Sequence, residues 1–116
     1  MSLVIYHNPR CSKSRETLAL VQSKGLEPQV IPYLDQPPDA ATLDHLLTLL
    51  SMEPRQLMRV KEPEYRELGL ADPTLTRAQL IAAMVAHPRL IERPILVKDN
   101  SRAALGRPPQ QVLEIL

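Results

Sequence analysis

The sequence predicts a mixed α/β fold in which a helical segment separates two sheet-forming halves, and three observations lead to this prediction. A strand, a helix and a strand follow one another at the N-terminus, the middle has helical apolar spacing, and two short strands with a tight turn precede the last segment. A length of 116 residues suits one compact domain with one core. We expect a single domain over residues 1–116, with a helical insertion at about 39–88.

The first half contains a strand–helix–strand unit. Residues 3–6 are nearly all apolar, which is typical of a strand buried on both faces in the middle of a sheet. Residues 12–24 favour a helix that Gly25 ends, and residues 29–34 favour a second strand. Pro32 indicates an edge strand or a bulge, because proline has no N–H for the ladder. A right-handed crossover would make the two strands parallel neighbours.

The middle of the chain has the apolar spacing of helices. One helix is predicted after a cap at Asp39 or Thr42. Two short helical segments, near 55–59 and 63–68, are each opened by a proline at the first helical position. One face of the first helix carries Leu43, Leu46, Leu47 and Leu50.

A further helix is predicted from a capping box at its start. Thr76 and Gln79 have the spacing of that motif, and the pair His87-Pro88 should end the helix. Its apolar residues are Leu80, Ile81, Met84 and Val85.

The C-terminal part predicts an antiparallel hairpin and a final helix. Strands at 95–97 and 102–105 are joined by a short turn through Asp99-Asn100, a link too short for a parallel crossover. The pair Pro108-Pro109 would open an amphipathic helix with Val112, Leu113 and Leu116.

Composition excludes several classes of function. A formal net charge of +1 argues against a general nucleic-acid binder, although it permits a local cationic pocket. No stretch approaches the roughly 20 apolar residues of a membrane span, and the N-terminus lacks the pattern of a signal peptide, so we expect a cytoplasmic protein. Asp35, Asp39, Asp44 and His45 do not form a metal-ligand pattern, so no metal site is predicted.

The stretch "HNPRCSKSR" at positions 7–15 contains the one cysteine of the chain. A free thiol has a pKa near ~8.5, and the thiolate is the nucleophile. If a helix starts beside Cys11, its free N–H groups and the nearby cations Arg10, Lys13 and Arg15 should stabilise the thiolate. Free cysteines are more often inert and buried, but these flanking charges need water, which favours a reactive thiol.

The residues that follow Cys11 can be compared with two known cysteine motifs. Cys11 and Ser14 have the C-x-x-C spacing of a thioredoxin-like redox motif with serine in the second place, which suggests a one-thiol member of that superfamily. A phosphatase loop, C-x5-R, would require an arginine at the position of Thr17 and is therefore excluded.

The sequence resembles the glutaredoxin-coupled arsenate reductases, which carry Asn-Pro-x-Cys-x-x-Ser-Arg on a thioredoxin-like fold. "YHNPRCSKSRETL" is similar to that motif, and "LMRVKEPEY", "HPRLIERPILV" and "LGRPPQQVLEIL" are similar to family segments in the same order. The resemblance covers essentially the whole chain, and it implies a thioredoxin-like fold with βαβ and ββα halves.

The resemblance also implies the site residues. Cys11 matches the nucleophile, and Arg59, Arg93 and Arg107 match the three arginines that hold the oxyanion. Guanidinium groups suit this task because they bind tetrahedral oxyanions in bidentate fashion. In thioredoxin-like folds a cis proline lies beside the active cysteine, and Pro94 is expected to be that residue.

Four further residues are assigned supporting roles. Asn8, Ser14 and Arg15 belong to the motif, and Ser14 and Arg15 either support the loop and the thiolate or stabilise the first helical turn. His7 either tunes the thiolate or makes backbone hydrogen bonds at the end of the strand.

The reaction that the resemblance implies begins with attack of the Cys11 thiolate on arsenate, with loss of water. Glutathione then displaces oxygen at arsenic, glutaredoxin reduces the mixed species, and arsenite leaves. No second cysteine is present, so the electrons must come from outside the chain. The expected partners are arsenate, glutathione and glutaredoxin, with glutathione as co-substrate, no bound cofactor, no nucleic acid, no membrane, and a monomeric state.

Two alternatives remain open. Spx-type regulators share the fold and bind RNA polymerase, but their best-known members use a C-x-x-C switch that Ser14 removes. The other alternative is a relative that keeps the fold and the reactive thiol but acts on a different oxidised or anionic substrate.

Overall fold

The computed structural model describes residues 1–116, which form two compact units. The first unit joins residues 1–36 to residues 93–116, and the second comprises residues 37–92.

The first unit is built on a mixed four-stranded sheet with the order β2-β1-β3-β4. Strand β1 is parallel to β2 and antiparallel to β3, and β3 is antiparallel to β4. The predicted thioredoxin-like α/β fold is therefore confirmed, with Pro32 on an edge strand. The strands are β1 (Leu3–His7), β2 (Gln29–Pro32), β3 (Ile95–Lys98) and β4 (Arg102–Leu105).

Burial along β1 alternates. Leu3, Ile5 and His7 are buried, whereas Val4 and Tyr6 are partly exposed. The prediction that this strand is buried on both faces was therefore wrong. One hydrophobic cluster of the unit consists of Leu3, Ile5, Val21, Leu96, Val112 and Ile115. On the opposite face of the sheet, Ile95 and Val97 of β3 are buried as well.

Two helical segments pack with this sheet. Helix α1 (Ser12–Ser23) ends before Gly25, which adopts a φ of +77° as the predicted stop requires. The last segment is a 3-10 helix, Pro109–Ile115, and the predicted amphipathic α-helix was wrong in its geometry. Three residues per turn place Val112 and Ile115 on one buried face, while Leu113 is exposed.

The β3–β4 hairpin turns through Asp99 and Asn100, whose φ angles of 52° and 51° are those of a type I′ turn. The hairpin prediction is thus confirmed. The Arg93–Pro94 peptide bond is cis, as expected, and so is the Arg107–Pro108 bond.

The second unit is helical. Its helices are α2 (Ala40–Leu50), α3 (Pro54–Leu57), α4 (Pro63–Glu67) and α5 (Arg77–Ala86), followed by a 3-10 helix, Pro88–Leu90. Asp39 caps α2 by accepting the Thr42 N–H, and the Thr76–Gln79 capping box opens α5, both as predicted. No helix has the length and the apolar character that a membrane span needs.

Candidate active site

Cys11 occupies the N-cap of α1, directly after the loop that leaves β1 at His7. Its backbone is extended, with φ −96° and ψ 123°, and its N–H donates to the Asn8 carbonyl over 3.1 Å. The thiol is free and partly exposed. This position places the sulfur at the positive end of the helix dipole, where unpaired backbone N–H groups face an anion.

The pKa of the Cys11 thiol lies below its ordinary value. Burial is the largest influence and raises the pKa, but the combined opposing contacts outweigh it. The contacts that lower it are the Ser14 N–H, a hydrogen bond and the positive charge from Arg93, and the Lys13 N–H. The predicted direction is confirmed, and helix N–H groups with Arg93 are its main cause.

Two of the three predicted arginines lie in the unit that contains Cys11. Arg93 hydrogen-bonds the sulfur. The Nη2 atom of Arg107 donates to Cys11 Sγ over a long 3.6 Å, and its Nε donates to the Arg93 carbonyl over 2.8 Å. The backbone of one arginine therefore fixes the guanidinium of the other, and both cations converge on the thiol.

A buried hydrogen-bond cluster holds the loop before Cys11. The Ser14 hydroxyl lies 2.6 Å from His7 Nδ1, and the Asn8 N–H donates to Ser14 Oγ over 3.0 Å. All three residues are buried. The Asn8 side chain also accepts the Arg10 N–H over 3.0 Å, so the loop is fixed from both sides.

The pKa of His7 is lowered, first by burial and then by the positive charge of Arg15. The imidazole is therefore neutral near pH 7 and supplies no positive charge to the thiolate. His7 ends strand β1, where its backbone pairs with Pro32, in agreement with the strand-end role considered for it, and its ring contacts the Ser14 hydroxyl.

The cationic side chains of Arg15 and Lys13, near Cys11 in sequence, contact other groups than the sulfur. Arg15 donates to the Pro9 carbonyl over 2.9 Å, and Lys13 Nζ lies 3.6 Å from a Glu16 carboxylate oxygen. Both side chains are exposed, so water screens their field at the sulfur. The sequence argument overestimated these two residues as determinants of the thiol pKa.

Arg59 lies in the second unit, where carboxylates hold its guanidinium. Its Nε donates to Glu62 over 3.1 Å, and its Nη1 lies 3.5 Å from Glu92. Arg89 Nη2 donates to the other Glu62 oxygen over 2.9 Å. The Glu62 and Glu92 side chains are 18% and 22% exposed, so these ion pairs are partly shielded from water.

Backbone hydrogen bonds between two distant segments position Arg59 beside these carboxylates. Met58 and Ile91 form an isolated antiparallel bridge, and the Arg59 N–H donates to the Leu90 carbonyl over 2.7 Å. The Glu92 N–H donates to the Leu57 carbonyl over 2.8 Å. The bridge therefore brings Arg59 and Glu92 side by side. Sequence reasoning missed both carboxylates, although the three-residue spacing of Arg59 and Glu62 was a usable signal.

The sheet has the strand order of a thioredoxin-like protein, a free cysteine stands at the start of the helix after β1, and a cis proline precedes β3. Together these features define a thioredoxin-like protein with one thiol. The chain belongs to the ArsC family, whose sequence profile matches residues 6–115. The resemblance drawn from the sequence is thereby confirmed. No group of three or more residues able to hold a metal ion is present.

Close relatives span nearly the full chain. An Escherichia coli K12 protein named uncharacterized protein YfgD is 59% identical over 113 residues, covering 97% of this chain and 94% of its own. An arsenate reductase of Haemophilus influenzae is 45% identical over 117 residues, with full coverage of both chains. The solved structure of an arsenate reductase from Vibrio cholerae superposes with a TM-score of 0.96 at 56% identity, covering 100% of this chain and 98% of the other.

Proposed function

We propose that this protein reduces arsenate to arsenite, with Cys11 as the nucleophile. The observation that carries the proposal is the convergence of Arg93 and Arg107 on a thiol whose pKa is lowered. Such a site suits a nucleophile that must approach an anion, because the cations offset the repulsion between thiolate and oxyanion. The names of the relatives support arsenate as that anion.

In the first step the Cys11 thiolate attacks arsenic, and a sulfur–arsenic bond forms. One arsenate oxygen takes up protons and leaves as water, so arsenic stays pentavalent in the adduct. Arg93 and Arg107 would bind the remaining oxygens, and the free N–H groups at the start of α1 would face the developing negative charge. Catalysis in this scheme is electrostatic, and no side chain needs to act as a general base on the thiol.

The electrons come from outside the chain, since Cys11 is the one cysteine. We propose that glutathione displaces a second oxygen from arsenic as water, so that arsenic carries both the Cys11 sulfur and the glutathione sulfur. A glutaredoxin thiol then attacks the glutathione sulfur, the sulfur–arsenic bond to glutathione breaks, and its electron pair stays on arsenic, which becomes trivalent. Water finally hydrolyses the Cys11–arsenic bond, which releases arsenite and restores the thiol. Over one cycle two thiol groups become one disulfide, arsenic gains two electrons, and a net single oxygen leaves as water. Glutathione acts as a co-substrate, and no bound cofactor takes part in the scheme.

The remaining residues have proposed roles on the same basis. Arg59 supplies the third oxyanion contact, by resemblance to the family. His7, Asn8 and Ser14 hold the loop that presents Cys11, and Arg15 ties the first turn of α1 to the Pro9 carbonyl. We further propose that the chain acts as a single-domain monomer in the cytoplasm.

Arsenite formation by the purified protein with arsenate, glutathione and glutaredoxin tests the proposal. Wild type should produce arsenite, and Cys11→Ser should not. Absence of arsenite from a folded protein with a reactive Cys11 would contradict arsenate as the substrate and favour another oxidised or anionic one.

A further inference from the structure

Gly106 lies between the end of β4 and Arg107, and it is buried. A Cβ atom built on it would lie 2.5 Å from Thr17 Oγ1, 2.9 Å from Thr17 Cγ2 and 2.8 Å from Pro94 Cγ. Real side-chain atoms essentially never approach so closely, so any larger residue would force a shift. Its φ angle is not positive, so the requirement for glycine comes from space rather than from backbone conformation.

The two neighbours of Gly106 cannot yield easily. Thr17 is fully buried in α1, and its hydroxyl donates to the Lys13 carbonyl over 2.7 Å. The Gly106 carbonyl lies 3.5 Å from the same hydroxyl. Pro94 is a rigid ring, and its carbonyl accepts the Gly106 N–H over 2.9 Å.

Each neighbour of Gly106 belongs to a segment that also builds the thiol site. Thr17 is in the helix that Cys11 caps, and Pro94 directly follows Arg93, which hydrogen-bonds the sulfur. Gly106 itself precedes Arg107, which reaches both the Arg93 carbonyl and Cys11 Sγ. The close approach at this glycine therefore sets the spacing of all three segments.

We propose that Gly106 is a positioning residue whose missing side chain lets Arg93 and Arg107 reach Cys11. A Cβ would push β4 and the Pro94 segment away from α1 and lengthen the contacts of both guanidinium groups with the sulfur. The effect on oxyanion binding rests on the proposed function. The effect on the thiol does not, because it depends only on contacts within this unit.

The test is the pH dependence of Cys11 alkylation by iodoacetamide, which reports a single thiol in this chain. Gly106→Ala should raise the alkylation midpoint by about one pH unit, which is the size expected when a charge-assisted contact to the thiolate weakens. If the proposed function holds, kcat/KM for arsenate should fall about tenfold as well.

Three further variants separate positioning from a general loss of stability. Gly25→Ala makes the same substitution at a φ of +77° with open space around it, so it should destabilise the protein without moving the midpoint. Thr17→Ala removes two of the three close contacts, so the double variant Thr17→Ala/Gly106→Ala should recover at least half of the shift. Thr17→Ala alone should leave the midpoint nearly unchanged.

Each outcome is decisive. A raised midpoint in Gly106→Ala that the double variant partly reverses supports the proposal, even if no arsenite is formed. If Gly106→Ala fails to fold, the double variant should fold and carry a smaller shift. An unchanged midpoint in folded Gly106→Ala, or a double variant that recovers neither folding nor the midpoint, would overturn it.

Discussion

Replacing Arg93 by alanine should raise the pKa of Cys11 more than replacing Arg107 does. Arg93 lowers this pKa through a hydrogen bond to the sulfur and through its charge, whereas Arg107 reaches the sulfur over a long 3.6 Å. The comparison tests whether the thiolate is stabilised mainly by one arginine together with the helix N–H groups.

The magnitude follows from the contact that is lost. A hydrogen bond to a charged group contributes about 1.5–3 kcal/mol, and one pKa unit corresponds to about 1.4 kcal/mol. The site is partly exposed and therefore screened, so the lower end applies. Arg93→Ala should raise the pKa by about one unit, and Arg107→Ala by less than about half a unit.

Alkylation rate against pH measures both shifts directly, because the chain has one cysteine. Below the midpoint, a rise of about one unit lowers the rate about tenfold at fixed pH. Arg102→Ala, which removes an exposed arginine from β4, is the matched control and should leave the profile unchanged. Equal shifts for Arg93→Ala and Arg107→Ala, or no shift for Arg93→Ala, would refute the reasoning.

Three other predictions concern activity, stability and the electron donor. Each single replacement of Arg59, Arg93 or Arg107 by alanine should leave the protein folded and lower kcat/KM by about 10- to 100-fold. Wild-type turnover by Arg59→Ala would show that the proposed role of Arg59 is wrong. Burial raises the pKa of Glu62, but Arg59 and Arg89 outweigh it, so the pKa is lowered in the folded protein. The ionised carboxylate therefore stabilises the fold at a pH above its unfolded pKa, and this stabilisation is lost as the pH falls through the lower folded pKa. Glu62→Gln should therefore reduce Tm at pH 7 and lose that effect well below pH 4, whereas exposed Glu67→Gln should change Tm little at pH 7. Turnover should require both glutathione and glutaredoxin, and sustained turnover with thioredoxin alone would contradict the proposed electron route.

The local patterns of the sequence predicted the elements of the fold well. Asp39 and the Thr76–Gln79 box mark helix starts by local hydrogen bonds, and Pro32 restricts its strand to an edge, so each signal lies in the residues themselves. The C-terminal segment shows the limit of such patterns. A 3-10 helix and an α-helix differ by less than one residue per turn, and packing of Val112 and Ile115 on the core decides between them.

Some features of the candidate site could likewise be predicted from local sequence, and others could not. The position of Cys11 at a helix start follows from the strand, the loop and the first helical residues, all within a short stretch. The opposing charges around Arg59 depend on a bridge between Met58 and Ile91, which are far apart in sequence. The close packing at Gly106 depends on Thr17 and Pro94, which are distant in sequence from it or from each other, so it could not be predicted from the sequence. Long-range contacts of this kind leave no periodic signal in one sequence.

The most direct test of the central claim is the mass of the intact protein after incubation with arsenate and glutathione, in the absence of glutaredoxin. The account predicts a single covalent species that carries arsenic and glutathione on Cys11, that is absent from Cys11→Ser, and that disappears with release of arsenite when glutaredoxin is added. Arsenite formation in the complete assay by a protein whose Cys11 never carries arsenic would contradict the account.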